Sequence, residues 1–196
     1  MRKPFHEIIR EISGNQVIPF NIKDSRDVQL CKDINQVCMT ICQTLKEAPI
    51  QSERINEVGN KIEPYVIDVF NEIDGYKASV PMGKVTGYPD VLIEEHDNRY
   101  SYIECKTYNR NSIDSSFRSF YFSGSKTFKV EHDARHLVLG FEIVLVAEQQ
   151  FRPVGFKMVD AYNLLCTLKE EWNSNNKLLY GLPLLLEYVE KQDGLI

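Results

Sequence analysis

The sequence predicts an α/β fold, in which a central mixed β-sheet is flanked by α-helices. Residues 24–48 and 52–75 repeat apolar side chains at the spacing of amphipathic helices. Residues 87–106 have the composition of two strands joined by a tight turn. Residues 136–147 form the most apolar segment, which is typical of a central strand buried on both faces. Helices are therefore expected first, then strands in succession, then a helix.

The first part of the chain predicts three helices. Residues 5–12 are expected to form a short amphipathic helix that ends at a Ser-Gly-Asn sequence. Asp24 or Ser25 is a suitable N-cap for the second helix. The third helix is expected to open at Ser52, with a kink or a restart at Pro64, because an interior proline removes one backbone hydrogen bond.

The middle of the chain is expected to supply the sheet. The predicted strands are residues 76–80 at an edge, 91–94, 100–107, 127–130, 136–147 and 151–159. Asp160 is expected to cap a helix over residues 161–172. We expect a single domain over residues 1–196, with N-terminal helices in about 1–75, the hairpin and sheet in about 76–160, and a C-terminal helix and tail in about 161–196.

Composition places the chain among ordinary globular proteins. Apolar residues make up 43% and charged residues 26% of its 196 positions, enough for a substantial core. We expect no secretion leader and no membrane span, because the apolar stretch 137–147 carries Glu142 and is too short to cross a bilayer. The five cysteines include no Cys-x-x-Cys pair, which favours buried thiols in a reducing cytosol.

Charge is unevenly distributed along the chain. The net charge is −5, which by itself argues mildly against a nucleic-acid partner. Residues 99–136, however, hold seven basic and four acidic side chains, a local net charge of +3. A basic surface beside the hairpin is therefore one interpretation, and scattered solvated charge is the other.

The most informative stretch, residues 87–106, places three charged side chains at one end of a hairpin. The turn is expected at residues 96–98, which are all types that tolerate turn conformations. Asp90, at the start of the first strand, then lies beside the end of the second strand. Side chains alternate along a strand, so Glu104 and Lys106 share one face and Cys105 takes the other.

Two carboxylates beside one ammonium suit a divalent metal and an activated water. Mg²⁺ is typically held by one or two carboxylates, keeps several waters and takes a phosphate oxygen. Asp90 and Glu104 are the candidate ligands, with the Cys105 backbone carbonyl as a third, and Lys106 is the candidate to hold the attacking water. The alternative is a cross-strand ion pair on a solvated sheet face. It accounts neither for the clustering at one hairpin end nor for the apolar strands around it.

Pro89-Asp90, followed fourteen residues later by Glu104-Cys105-Lys106, resembles the PD-(D/E)xK motif of the restriction-endonuclease-like nuclease superfamily. The resemblance covers roughly residues 50–160 and includes the hairpin context of the motif; it is strongest to type II restriction endonucleases. It implies a further glutamate on an upstream helix, which Glu57 or Glu63 would match. Glu57 is preferred, because Pro64 is expected to disrupt the helix beside Glu63.

The resemblance implies a Mg²⁺-dependent endonuclease, with Mn²⁺ as a substitute. Such an enzyme cuts double-stranded DNA at a specific short sequence and leaves 5′-phosphate and 3′-hydroxyl ends. The resemblance further implies a homodimer acting on palindromic sites, a cognate DNA methyltransferase as a genetic rather than a physical partner, and the cytoplasm of a prokaryotic cell. Two alternatives stay open: a repair, junction or transposon-related nuclease of the same fold, and a catalytically silent DNA-binding module. The intact Asp90, Glu104 and Lys106 argue against the silent module.

Polar and basic side chains after the hairpin are of types that contact phosphates and base edges. The candidates are Asn109, Arg110, Asn111, Arg118, Lys126 and Lys129, and a solvated loop is an equally good interpretation of each. His132 and His136 are four residues apart and form a weaker candidate pair for zinc. The segment between them leads directly into an apolar strand, so their spacing is not expected to bring them together.

Overall fold

The structure is a computed structural model that describes residues 2–82, 87–109 and 128–167. Arg2–Cys166 form one compact unit. Three α-helices are present in the described residues: α1 (Phe5–Ser13), α2 (Ser25–Glu47) and α3 (Val58–Asn71). The strands are β1 (Arg2–Pro4), β2 (Ile50–Gln51), β3 (Tyr76–Ser79), β4 (Val91–Glu95), β5 (Tyr100–Tyr108), β6 (Arg135–Ala147), β7 (Gln150–Asp160) and β8 (Leu165–Thr167).

The sheet is mixed, as the sequence predicts. Six strands lie in the order β2-β7-β6-β5-β4-β3. Strands β5 and β6 run parallel, and the other neighbouring pairs of this sheet are antiparallel. The most apolar segment of the sequence is β6, which lies in the interior of the sheet, and β3 lies at an edge. These predictions of an α/β fold with a central mixed sheet are confirmed.

Each face of the sheet has its own hydrophobic core. Apolar side chains of α2 and α3 pack on one face, with Ile103 and Cys105 of β5 among the buried residues there. A smaller cluster on the other face includes Phe5 and Ile9 of α1 together with Tyr102 of β5. Because side chains alternate along β5, odd-numbered residues lie on the face covered by α2 and α3, and even-numbered residues lie on the face where α1 packs at Tyr102.

The first two helices follow their predicted signals. Helix α1 ends at Gly14, whose φ of 80° is a left-handed conformation that glycine adopts without steric cost. Helix α2 begins after Asp24, and the Asp24 side chain accepts a hydrogen bond from the backbone N–H of Arg26. This bond satisfies one of the unpaired N–H groups at the helix start.

The third helix differs from the prediction at its start and at Pro64. Helix α3 begins at Val58 rather than near Ser52, after a 3₁₀ turn over Ile55–Glu57, and it continues through Pro64 without a break. Ile62 and Val66 are fully buried on either side of the proline. Burying two such side chains contributes about 1.5–3 kcal/mol each, which offsets the roughly 3 kcal/mol that an interior proline costs.

Two local predictions near the end of the described chain are wrong. Leu165–Thr167 is a strand, not part of a helix over residues 161–172, and it pairs with β1. The partner strand lies more than 160 residues away in sequence, so no local pattern reveals it. Lys129 and Val130 do not form the predicted short strand.

A buried ionic cluster ties α2 to the strands that carry the site. Asp27 of α2 is fully buried and pairs with Arg99, just before β5, and with Arg135 at the start of β6, at 2.6 Å. Its other oxygen accepts a hydrogen bond from the backbone N–H of Asn21 at 2.8 Å. A buried carboxylate needs such partners, because an unpaired one is strongly destabilising.

The described part of the chain contains no helix that is both long and apolar enough to cross a membrane. All five cysteines are free thiols.

Candidate active site

The hairpin of β4 and β5 brings Asp90 and Glu104 side by side. Val91 pairs with Ile103 in the antiparallel register, so the preceding residue, Asp90, lies opposite Glu104. The backbone N–H of Asp90 donates to the carbonyl of Ile103 at 3.1 Å. In return, Oδ2 of Asp90 accepts a hydrogen bond from the backbone N–H of Cys105 at 2.8 Å. The Asp90 carboxylate is therefore held by the strand that carries the other two charged residues.

Glu104 and Lys106 lie on the same face of β5, two residues apart. The ammonium of Lys106 donates a hydrogen bond to Oε1 of Glu104. The side chain of Glu104 is 5% exposed, whereas that of Lys106 is 39% exposed. Cys105 points to the opposite face and is buried in the core against α2 and α3. The structure thus brings together the three charged residues that the sequence singles out.

The other oxygen of Glu104, Oε2, is buried and receives no hydrogen bond from the described residues. Burial, followed by the negative charge of Asp90, raises the pKa of Glu104 to about 7, while the nearby Lys106 opposes the rise. Burial also raises the pKa of Asp90, against the lowering effect of the Cys105 N–H and of the charges of Lys106 and Lys129. Two adjacent buried carboxyls favour sharing a proton unless a cation is added.

The helix carboxyl that interacts with this group belongs to Glu63. Burial and the charge of Asp90 raise the pKa of Glu63 to about 7, and the charges of Lys106 and Lys129 act in the opposite direction. Glu57 lies in the 3₁₀ turn before α3, is exposed, and makes a 3.5 Å hydrogen bond with Ser52. Because α3 runs through Pro64, the reason for preferring Glu57 over Glu63 no longer holds.

An aromatic cluster fixes the loop that leads to Asp90, and sequence reasoning missed it. The hydroxyl of Tyr88 hydrogen-bonds Nδ1 of His136, and both residues are buried. The rings of Phe5 and Tyr88 meet edge to face with centroids 5.4 Å apart. Tyr102 adds a third ring against His136 at 5.0 Å. The sequence feature that could have revealed this cluster is the position of Tyr88 directly before Pro89-Asp90.

The structure places the DNA-binding candidates in different environments. Asn109 is partly buried directly after β5. Lys129 is buried, and its ammonium donates to the backbone carbonyls of Gly87 at 2.8 Å and Pro89 at 3.1 Å, so it faces the Asp90 loop. The remaining candidates, Arg110, Asn111, Arg118 and Lys126, lie outside the described residues.

A basic residue that the sequence did not single out lies on the same sheet face as the charged trio. Lys106 pairs with Gly140 of β6, and Gly140 pairs with Lys157 of β7, so the three form one row across the sheet. Tyr108 lies over Gly140, since a Cβ at that position would be 3.4 Å from its ring. The ammonium of Lys157 lies 5.4 Å from the centroid of that ring.

The two histidines do not form a metal site. His136 is bound to Tyr88, and His132 stacks on Tyr100 with ring centroids 3.8 Å apart. Across residues 2–82, 87–109 and 128–167, no three His, Cys, Asp or Glu side chains are placed to hold a metal ion.

Comparison with known proteins identifies a family and a relative that match most of the chain. Residues 1–183 match the family model of the type II restriction enzyme MjaV family. The chain is 36% identical, over 201 aligned residues, to the type II restriction enzyme MjaV of Methanocaldococcus jannaschii. That alignment covers 93% of this chain and 86% of the relative. No solved structure matches the chain significantly.

Proposed function

Because the chain belongs to the type II restriction enzyme MjaV family, and is therefore a site-specific deoxyribonuclease, we propose that Asp90, Glu104 and Lys106 carry out its reaction. The reaction is hydrolysis of phosphodiester bonds in double-stranded DNA at a short specific sequence, leaving 5′-phosphate and 3′-hydroxyl ends. The observation that carries the proposal is the convergence of two carboxyls and one ammonium at the open end of the β4–β5 hairpin.

Asp90 and Glu104 are the proposed ligands of Mg²⁺, for which Mn²⁺ substitutes. The buried Oε2 of Glu104, without a donor among the described residues, fits a cation. The raised pKa values of both carboxyls point the same way, because a cation stabilises two adjacent carboxylates. Two protein carboxylates suffice, since Mg²⁺ keeps several waters. The Cys105 backbone carbonyl stays a proposed third ligand.

Lys106 is proposed to orient the attacking water and to neutralise charge in the transition state. An ammonium has three N–H donors, and one of them is used on Glu104. The partly exposed position of Lys106 leaves the other donors accessible to water and to a phosphate oxygen. When bound, the metal polarises the phosphate and lowers the pKa of a coordinated water. Glu104, which accepts a hydrogen bond from Lys106, would then also hold the metal.

Glu63 is proposed as the carboxylate contributed by α3. It interacts through charge with Asp90 and with both neighbouring lysines. It is not part of a three-residue metal cluster within the described residues, so its proposed action on the metal is through water.

DNA is proposed to pass over the sheet face that carries Lys106 and Lys157. The row formed by these two lysines across Gly140 extends the positive charge away from the carboxyls. Lysine ammonium groups supply phosphate contacts, which position a duplex without reading its sequence. Asn109, at the end of β5, and the candidates between residues 110 and 126 are proposed to contribute further contacts.

We further propose a homodimer, because a two-fold protein matches the symmetry of a palindromic site. The cognate DNA methyltransferase is then a genetic partner, which protects the host DNA without binding this chain. The proposed place of action is the cytoplasm of a prokaryotic cell, where that DNA lies. The single-domain organisation over residues 1–196 also stays a proposal.

The decisive experiment is plasmid digestion with purified full-length protein. Discrete fragments with Mg²⁺, absent with EDTA and absent for Asp90→Asn, support the proposal. Sequencing the fragment ends would identify both the site and the end chemistry. Cleavage by Asp90→Asn at the wild-type rate would contradict the proposed active site. Nicking at random positions would contradict site-specific cutting.

A further inference from the structure

We propose that Lys129 is a positioning residue, which braces the loop before Asp90 and so fixes the orientation of its carboxylate. The proposal rests on the proposed function, in which Asp90 is a metal ligand. It assigns to Lys129 a role other than the DNA contact expected from its residue type.

The ammonium of Lys129 holds the loop on both sides of Tyr88. It donates a hydrogen bond of 2.8 Å to the carbonyl of Gly87 and one of 3.1 Å to the carbonyl of Pro89. Pro89 directly precedes Asp90, so the second bond restrains the peptide group joined to the Asp90 backbone nitrogen. Lys129 is 7% exposed, which leaves little of it available to a DNA phosphate.

The backbone beside Lys129 is itself anchored, so the brace has a fixed end. The carbonyl of Val130 accepts a hydrogen bond from the side-chain amide of Asn15 at 2.9 Å. The backbone N–H of Glu131 donates to the hydroxyl of Tyr102 at 2.9 Å. Tyr102 lies two residues before Glu104 on β5. The brace therefore connects the Asp90 loop to the strand that carries the second carboxyl.

A lysine suits this task because one compact charged group can donate to two carbonyls at once. Its charge also acts on Asp90 and Glu63, both of which it favours in the ionised form. A buried residue with these contacts restrains where the carboxylate lies through the backbone that carries it. Supporting residues of this kind typically change metal affinity or activity by about 10–100-fold when they are removed.

The test compares Lys129→Met with Lys61→Met in the full-length protein. Lys61, on α3, is the matched control. Its ammonium also donates a hydrogen bond to a backbone carbonyl, that of Gln51 at 2.6 Å, but not to the loop before Asp90. Cleavage of a plasmid that the wild type cuts is measured as kcat, as KM for DNA and as the Mg²⁺ concentration for half-maximal rate. DNA affinity is measured with Ca²⁺ in place of Mg²⁺, at several salt concentrations. Each protein is assayed well below its own Tm, so that every variant is folded.

For Lys129→Met we expect a kcat about 10–100-fold lower and a higher Mg²⁺ concentration for half-maximal rate. The slope of log DNA affinity against log salt concentration should equal that of the wild type. Lys61→Met should match the wild type in all of these. Lys129→Gln, which keeps an uncharged N–H donor group, should have a kcat between those of the wild type and Lys129→Met. It also covers the case that Lys129→Met does not fold.

Two results would overturn the proposal. Weaker DNA binding with a salt slope reduced by about 0.9, and an unchanged kcat, would make Lys129 a phosphate contact. A lower Tm of the Lys129 variants, together with wild-type kcat and Mg²⁺ requirement while they are folded, would mean that Lys129 only stabilises the fold. Asp90→Asn distinguishes failure of the proposed function from failure of the proposed role of Lys129. Normal cleavage by Asp90→Asn would contradict the proposed active site. An inactive Asp90→Asn together with a fully active Lys129→Met would contradict only the role of Lys129.

Discussion

The backbone N–H of Cys105 donates a 2.8 Å hydrogen bond to the carboxylate of Asp90. This bond crosses from β5 to the start of β4 and sets the first carboxyl beside the second. Cys105 supplies it from the backbone, while its own side chain is buried in the opposite core. Cys105 therefore contributes both to the hydrophobic core and to a hydrogen bond in the proposed active site.

Lys106→Ala should reduce cleavage by about 10²–10³-fold, the loss typical for one group that stabilises transition-state charge. DNA binding should weaken far less than cleavage, because the variant loses at most one of the phosphate contacts on this sheet face. Single-turnover cleavage and an electrophoretic binding assay with Ca²⁺ measure the two quantities. Lys61→Ala is the control variant. Wild-type cleavage by Lys106→Ala would show that the lysine has no part in the chemistry.

Glu63→Ala and Glu57→Ala should differ sharply in the rate at which they cleave DNA. We expect Glu63→Ala to lose about 10–100-fold in kcat, because Glu63 interacts with Asp90 and both lysines. Glu57→Ala should retain wild-type activity, because Glu57 is exposed and bonded to Ser52. Steady-state cleavage of one plasmid by both variants decides between them. The reverse order would restore Glu57 as the helix carboxylate, and two fully active variants would leave α3 without a catalytic group.

Metal affinity should depend on pH near neutrality. Burial raises the pKa of Glu104 to about 7 in the metal-free protein, and a metal binds the ionised form. Affinity should therefore level off above about pH 8 and fall about tenfold per pH unit below 7, since one proton is released on binding. Calorimetric titration with Mn²⁺ at pH 6, 7 and 8 measures this. Equal affinity at all three values would contradict a buried carboxyl as the ligand.

His136 should make stability fall in mild acid. Burial lowers the pKa of His136 from 6.5 to about 3, so between these values the unfolded chain binds a proton that the folded chain does not. Its contribution to the free energy of unfolding is complete above pH 6.5 and is lost by about 1.4 kcal/mol per pH unit as the pH falls toward 3.

The matched variant is His136→Asn, which keeps an acceptor for Tyr88 but takes up no proton. Urea unfolding at pH 6.5 and pH 5 should show the wild type losing about 2 kcal/mol more than this variant. Identical losses would mean that His136 is protonated in the folded protein.

Lys157→Ala should weaken DNA binding without regard to sequence. One phosphate contact contributes about 0.9 to the slope of log affinity against log salt concentration, so the slope should become shallower by that amount. Lys77→Ala, on the edge strand β3, is the exposed control. An unchanged slope for Lys157→Ala would take Lys157 out of the proposed DNA surface.

The sequence by itself determined the parts of this protein that depend on local pattern. The two-residue alternation of a strand put Glu104 and Lys106 on one face, and turn residues at 96–98 placed Asp90 beside them. Helical periodicity located α1 and α2, and an apolar run located β6. These signals are short-range, so one chain segment is enough to read them.

Tertiary structure decided what depends on partners distant in sequence. Glu63 interacts with Asp90 because α3 packs through Pro64, and burial of apolar side chains around that proline outweighs its local cost. Lys129 turns from an apparent surface charge into a brace because the Gly87 and Pro89 carbonyls lie beside it, about 40 residues away. β8 is a strand because β1 pairs with it. A residue type indicates what a side chain can do, whereas its buried neighbours determine which of those roles it has.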